Sequence, residues 1–409
     1  MRKYIIICIL MFTSIISSGQ SELNNYLKIA ADNNPALKQA FNEYMAALER
    51  VPQVNALPNP NIAFAYLIKP IETRMGPQEF KLGISQMFPW FGTLKTKGDV
   101  ASELAKAKYE SFLDIKSQIF SNVKATYFYL YFNNKAFVIT EKNIKLLESI
   151  KNIVLVKVEA GLRTAADEYR IEMELNDLNN KLALLRKNRA LLISKFEKFL
   201  NSKEEIHISS PMSLWEDDLR LRKKLLFNNI KESNHKLMRV DMQILALKQK
   251  EVLANKMGMP TFSIGLEYIS IGKGDMNLPG DDAFVFPKIG ISIPLYRGKY
   301  EAMKNEARFL KEAKDEQKQE LTNLLENVFE EKWRDYTDAV DRVDLYEKQI
   351  KIASKTLSIL ETFYAANNSS FEDYIRMERK LLKYSLELEK AKIDKHIAIS
   401  FIKYLTGEL

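Results

Sequence analysis

The chain has 409 residues, 46% of them apolar and 28% charged, which is enough to build a large core and excludes a disordered chain. Its net charge of +8 comes from 61 basic residues interleaved with 53 acidic ones, so no basic arm marks a nucleic-acid surface and no nucleic acid is expected as a partner. The one cysteine, Cys8, excludes a disulfide framework.

The N-terminus reads as a secretory signal. Arg2 and Lys3 precede an apolar run from Tyr4 to Phe12, followed by Ile15, Ile16 and the small residues Ser17, Ser18 and Gly19, the order of a cleavable leader. Removal of residues 1–19 takes Cys8 with it and leaves no thiol and no acylatable N-terminal cysteine, so no lipid anchor is expected. Beyond the leader no stretch approaches eighteen apolar residues, and any membrane crossing must be made by strands.

From there the chain is written twice. Leu37, Ala46 and Pro60 recur as Leu237, Ala246 and Pro260, at an offset of 200. The GIS triplets at Gly83 and Gly290 match at 207, Gly92 and Gly298 at 206, and TAADEYRIE (164–172) falls on SFEDYIRME (370–378) at 206. The chain therefore divides into two repeats of about 190 residues, 20–205 and 218–409, with 201–217 as the inter-repeat linker. Each repeat opens with a helical segment, 22–56 and 218–257. A strand hairpin follows, at 60–89 and 260–295, and then a long segment without proline, 93–160 and 299–366, which as a helix would be about 100 Å long. A return helix closes each repeat, 165–200 and 371–405.

The return helices carry a sustained apolar stripe. Tyr374, Met377, Leu381, Tyr384, Leu388 and Ala391 step by three and four, and Ile171, Leu175, Leu178, Leu182 and Leu185 hold the matching places in the first copy. That spacing predicts coiled-coil packing between neighbouring helices. The hairpin segments have period two instead. Ile62, Phe64 and Tyr66 alternate with Ala63 and Ala65; Leu82 and Ile84 with Lys81, Gly83 and Ser85. Phe262, Ile264, Leu266 and Tyr268 alternate with Ser263, Gly265 and Glu267; Ile289 and Ile291 with Lys288, Gly290 and Ser292. Transmembrane barrel strands read this way, and so do half-buried soluble strands. Lipid tolerates no open sheet edge, and four strands cannot close a barrel. A homotrimer would supply twelve, with the coiled-coil stripes bringing three chains together. Lys81, Glu267 and Lys288 would then line the lumen. Phe88, Trp90, Phe91 and Tyr296 sit where strand becomes helix, either as a membrane-interface belt or as a cluster under the junction. Pro89 and Pro294 end the strands, and Gly92 and Gly298 let the chain turn into the long helix.

Taken in order, LPNP (57–60), SQMFPWFG (85–92), AGLRTAADEYR (160–170), SIPLYRG (292–298) and KYLTGE (403–408) resemble the TolC-like outer-membrane efflux protein family. The resemblance implies a mainly α fold with a small β part: duplicated long coiled-coil helices and two transmembrane β-hairpins, assembled into a trimeric twelve-stranded β-barrel and a twelve-helix α-barrel. It implies an outer-membrane channel, in contact with outer-membrane lipid and extending into the periplasm of a Gram-negative bacterium. Its partners would be a periplasmic adaptor and an inner-membrane transporter of the RND type, with 201–217 forming part of an equatorial belt. Its cargo would be metal ions or small toxic compounds, a preference resting on the likeness of ALPNP and MFPWFG to members that serve heavy-metal pumps. Two features depart from the family: the lipidated cysteine of many relatives is absent, and the second helix-to-helix turn reads AANNSSFED where the first has AGL.

Those two turns would form the periplasmic mouth. Gly161, Leu162, Arg163 and Thr164 in the first, and Asn367, Asn368, Ser369 and Ser370 in the second, are the candidate adaptor-docking tips. Gly161 suits a left-handed residue after a helix, and Thr164 with Asp167, like Ser370 with Asp373, resembles a capping box. Under threefold symmetry Asp167, Glu372 and Asp373 would instead form acidic rings, with Arg376 placed to pair Asp373 or Glu372. Nothing points to catalysis. His207, His235 and His396 lie far apart in the repeat, and no HExxH, CxxC, GxSxG or P-loop occurs. No catalytic residue, cofactor or bound metal is expected. The alternative reading is a soluble periplasmic coiled-coil adaptor or structural protein.

Overall fold

The computed structural model describes residues 19–74, 76–204, 206–273, 284–365 and 371–408. The leader up to residue 18, the tip residues Asn367, Asn368, Ser369 and Ser370, and most of the loop 272–282 lie outside the described residues. The elements run α1 (19–33), α2 (Pro35–Asn55), β1 (Asn61–Thr73), β2 (Gly76–Phe88), α3 (Thr93–Glu159), α4 (Ala165–Leu200), α5 (Lys223–Ser233), α6 (His235–Met257), β3 (Thr261–Ile271), β4 (Phe284–Ser292), α7 (Gly298–Ala365) and α8 (Phe371–Leu405). The fold is mainly α with one small antiparallel sheet.

Each opening helical segment, read from the sequence as continuous, is broken by a buried asparagine. Asn34 separates α1 from α2 and Asn234 separates α5 from α6. The Asn34 side chain accepts from the backbone N–H of Ala36 (3.0 Å) and Leu37 (3.4 Å). It therefore caps a new helix, whose first residue is Pro35, where the missing N–H costs nothing. The amide of each asparagine also reaches the end of a return helix: Asn34 donates to the Phe199 carbonyl at 3.0 Å and Asn234 to that of Leu405 at 2.9 Å. Just beyond those carbonyls the chain turns through a left-handed residue, Asn201 (φ 43°) and Gly407 (φ 74°).

The chain divides into two compact units that do not coincide with the repeats. One comprises Met1–Gln39, Leu113–His235 and Thr322–Leu409; the other comprises Ala40–Phe112 and Lys236–Leu321. Each draws on both copies. In the first unit, α3, α4, α7 and α8 share a cluster that includes Ile144, Leu147, Val154, Ile171, Leu178, Leu182, Leu357 and Tyr374, with Leu175, Met377 and Leu381 packed on it. The stripes read from sequence are thus the faces by which these helices pack.

The second unit holds the sheet, in the order β1-β2-β3-β4. The register places Ile62 beside Ile84, Ile84 beside Leu266, and Leu266 beside Pro287. Phe64, Leu82, Tyr268 and Val285 form the next row. Because side chains alternate across a strand, every aromatic and aliphatic residue in these rows falls on one face. Gly83, Ser85, Ser263, Gly265 and Gly290 fall on the other. The pairing of β2 with β3 joins the two repeats in a single sheet, and Pro70 lies where the β1–β2 register shifts. At the first corner Gly92 has φ +74° and α3 begins at Thr93. The second corner differs from the sequence expectation: Gly298 is not left-handed but is the first residue of α7, and the turn is made by the residues before it, with Arg297 N–H donating to the Leu295 carbonyl at 3.1 Å.

Candidate functional site

At the tips of the first unit, α3 ends at Glu159 and Gly161 takes φ +71°, which lets the chain reverse into α4. Leu162 is exposed and Arg163 is half-buried. Arg163 lies over the ring of Tyr364 at 5.2 Å, and Lys157 lies over it at 4.5 Å while donating to the Tyr364 carbonyl at 2.7 Å. Tyr364 in turn packs on Phe371 (5.4 Å) and Tyr374 (6.4 Å). Two cations from the first hairpin therefore clamp an aromatic ring of the second, a favourable arrangement when desolvated.

The acids divide by environment. Thr164 is the N-cap of α4 but its side chain makes no capping bond, so the expected capping box does not form. Asp167 is buried and bonds Arg170 at 3.2 Å. The expected pairing of Arg376 with Asp373 is present, both groups being largely exposed. Glu372 points outward beside them. One turn further, Arg379 pairs with Glu174 of α4. Glu378 was not singled out by the sequence reading, yet it is the most enclosed acid of this region, 1% exposed, and accepts from the Asn143 amide of α3. Burial, then the charge of Glu174, pushes its carboxyl up to about 7, with Arg379 opposing.

Also in the first unit, the linker is strapped to α8. His396 stands 4.9 Å from Phe128 and 5.4 Å from Trp215. Burial pushes its imidazole down to about 4. Lys403 bonds Asp217 at 3.1 Å, and Asp218 meets Lys395 at 3.6 Å and Tyr336.

In the second unit, Lys81, Glu267 and Lys288 all fall on the sheet's small-residue face, and Lys288 pairs with Glu267. The opposite face is apolar and open: Ile62, Phe64, Tyr66, Ile264, Leu266 and Ile289 are all more than half exposed. The outer edges of β1 and β4 have no strand beside them among the described residues. Trp90 stacks on Phe262 at 6.0 Å and meets Phe91 at 5.8 Å, while Phe88 pairs across the sheet with Phe262. Tyr296 stands apart and is exposed.

No protein-family model matches the sequence, and no curated protein matches it. Solved structures do match. The outer membrane protein VceC from Vibrio cholerae superposes with a TM-score of 0.71 at 14% identity, over 96% of this chain and 98% of that one. The CmeC outer membrane channel of Campylobacter jejuni gives 0.73 at 14% identity, over 94% and 85%. The open state of the MtrE outer membrane channel of Neisseria gonorrhoeae gives 0.72 at 14%, over 94% and 88%. The chain has the fold of these outer-membrane channels. Within that fold, the sheet's open apolar face is one surface that the chain's own packing leaves exposed.

Sequence reasoning missed four residues here. Tyr364 sits on an apolar stripe and gave no sign of its two cations. Asn34 and Asn234 stand at the 200-residue offset of the repeat, a signal available in the letters alone. Glu378 was aligned with Glu172 and treated as its equal, although Glu172 is half exposed beside Lys151.

Proposed function

We propose that the chain is one protomer of a trimeric outer-membrane efflux channel. The observation that carries this reading is the sheet: one open face that is apolar but for Gln86 and Ser270, and two edges that have no strand beside them among the described residues. An apolar face of that extent requires lipid or a partner, and open edges require further strands. Two more copies satisfy both, giving twelve strands in a closed barrel with its apolar rows toward outer-membrane lipid and Lys81, Glu267 and Lys288 toward the lumen. Phe88, Trp90 and Phe91 lie at the strand-to-helix corner, with Tyr296 at the other, and would mark the membrane boundary.

The long helices continue the bore into the periplasm, and 201–217 belongs to the belt around them. The tips, including Gly161, Leu162, Arg163 and Thr164, and in sequence Asn367, Asn368, Ser369 and Ser370, form the rim that docks a periplasmic adaptor; an RND-type inner-membrane transporter supplies the energy. At the mouth Asp167, Glu372 and Asp373 recur threefold. Asp167 and Asp373 are each matched by an arginine, which weakens a cation-selective ring while those pairs are closed. The chain itself is a passive duct rather than an enzyme, with metal ions or small toxic compounds as its cargo.

Fractionation and electrophysiology test this together. The expected result is a detergent-extracted outer-membrane trimer that conducts in planar bilayers. A monomer released with the periplasmic contents would overturn it and favour the soluble coiled-coil alternative.

A further inference from the structure

Glu378 lies on α8 in line with Tyr374, one turn before it, and Leu381 and Leu382, one turn after, all members of or packed against the apolar cluster of the first unit. Its Oε1 accepts from Nδ2 of Asn143 on α3. Two polar atoms of that pair remain, Oε2 of Glu378 and Oδ1 of Asn143; both are sealed from solvent and neither has a partner among the described residues. With the carboxyl ionised, both are acceptors and cannot satisfy each other. A single proton on Oε2 changes this, because the acid then donates to the amide oxygen while accepting from the amide nitrogen. Two orphaned atoms on one residue pair are thus short by one proton, and buried polar groups are seldom left short.

The surroundings favour the same state. From α4 Glu174 repels a second negative charge, and its own partner is Arg379, so the guanidinium nearest Glu378 is already engaged. Arg379 also feels Asp177 of α4. From α3 comes the neutral Asn143 amide, with the hydroxyl of Thr140 buried one turn away. From α7 Glu361 acts on Tyr374, as Glu378 itself does. An unpaired carboxylate in such a place carries a heavy desolvation cost.

We propose that Glu378 is a proton latch: protonated, it clasps Asn143 and holds α8 against α3, and on losing the proton it releases the clasp and favours parting of the two helices. The sign follows from which state holds the proton. The clasped state has the higher pKa, about 7 against 4.5 in the parted chain, so the clasp is strongest below pH 4.5 and weakens as pH rises through 7. The latch belongs to the packed helices; its consequence for conduction rests on the channel reading.

Hydrogen exchange on the full-length protein in detergent tests it, with protection factors corrected for the intrinsic pH dependence. Between pH 5.5 and 7.5 the protection of 140–147 and 374–382 is expected to fall about twentyfold in the parent protein. Glu378→Gln, which supplies both hydrogen bonds at every pH, is expected to show a flat profile, and so is Glu378→Met should the glutamine variant fail to fold. A parent profile flat within about twofold, or the same fall in a folded non-titrating variant, overturns the latch. In planar bilayers the parent is expected to dwell closed at the lower pH and the variant to lose that dependence. A preparation that conducts at no pH counts against the channel reading alone, and the exchange data still decide the latch.

Discussion

Replacing Asn34 or Asn234 by alanine tests whether the repeat is a structural fact or a likeness of letters. Asn34 caps α2 through its oxygen and ties that cap to the end of α4 through its amide; Asn234 makes the matching tie to the end of α8. Loss of the cap costs about 1 kcal/mol, and leaving a buried carbonyl without its donor costs about 1–3 kcal/mol more. Asn34→Ala should therefore lose about 2–4 kcal/mol and Asn234→Ala, through its tie alone, about 1–3 kcal/mol, which for a unit of this size lowers the melting midpoint by about 5–10 °C and about 3–8 °C respectively. Far-UV circular dichroism on the detergent-solubilised protein reads this directly. Asn34→Ser separates the two contributions, since serine keeps a capping oxygen but lacks the amide, and should lose only the larger share. Midpoints within about 1 °C of the parent for both alanine variants, or a response at one position alone, would refute the reasoning that the two asparagines do one job twice.

Three further outcomes are expected. In the sheet, a Cβ at Gly265 would stand 2.6 Å from the Ile84 carbonyl oxygen and 3.0 Å from Ser85 Cβ, so Gly265→Val must pry β2 from β3 at a cost of about 1–3 kcal/mol, seen as less heat-resistant oligomer on gels, whereas Gly298→Ala, with nothing near its Cβ, should change nothing. At the tips, the Tyr364 hydroxyl has no hydrogen-bond partner among the described residues, so Tyr364→Phe should be nearly silent while Tyr364→Ala, removing the ring between Lys157 and Arg163, should cost about 3–5 kcal/mol and raise exchange across 157–163. His396 should give the chain an acid-sensitive midpoint: its imidazole is pushed from 6.5 down to about 4 when folded, so the folded state binds fewer protons, stability is complete above pH 6.5, and about 3 kcal/mol is lost as pH falls to 4. A melting midpoint in His396→Gln with the same pH slope as the parent would sink that attribution.

The sheet and the coiled coils were legible because their signal is periodic. Ile62, Phe64, Leu82, Leu266 and Ile289 share a face by the geometry of a strand, and Ile171, Leu178 and Leu182 by that of a helix, whatever the chain does elsewhere. The breaks at Asn34 and Asn234 were hidden because Leu27, Ala30, Leu37 and Ala40 are all buried on both sides of the first break; helical periodicity carries across a cap, and the signals that remained were the Asn-Pro pair and the recurrence of asparagine at the 200-residue offset. The compact units were hidden for a related reason: the repeat is a relation along the chain, whereas packing joins the same stretch of both copies side by side.

Glu172 and Glu378 show what a repeat can and cannot tell. They occupy the same place in matching phrases, and the sequence reading singled out neither. In the first copy Lys151 stands 3.7 Å from Glu172, and both groups reach solvent. The residue equivalent to Lys151 in the second copy is Leu357, which is buried in the apolar cluster. Losing the cation and gaining an aliphatic side chain at one position of the long helix is what separates an ordinary surface pair from an enclosed acid. That exchange is visible in the letters once the two copies are compared for their differences instead of their agreements. It follows that restoring the cation with Leu357→Lys should draw the Glu378 carboxyl back toward its ordinary range and flatten the pH dependence of α3–α8 protection, and an undiminished dependence in a folded Leu357→Lys protein would show that the two copies diverged for some other reason.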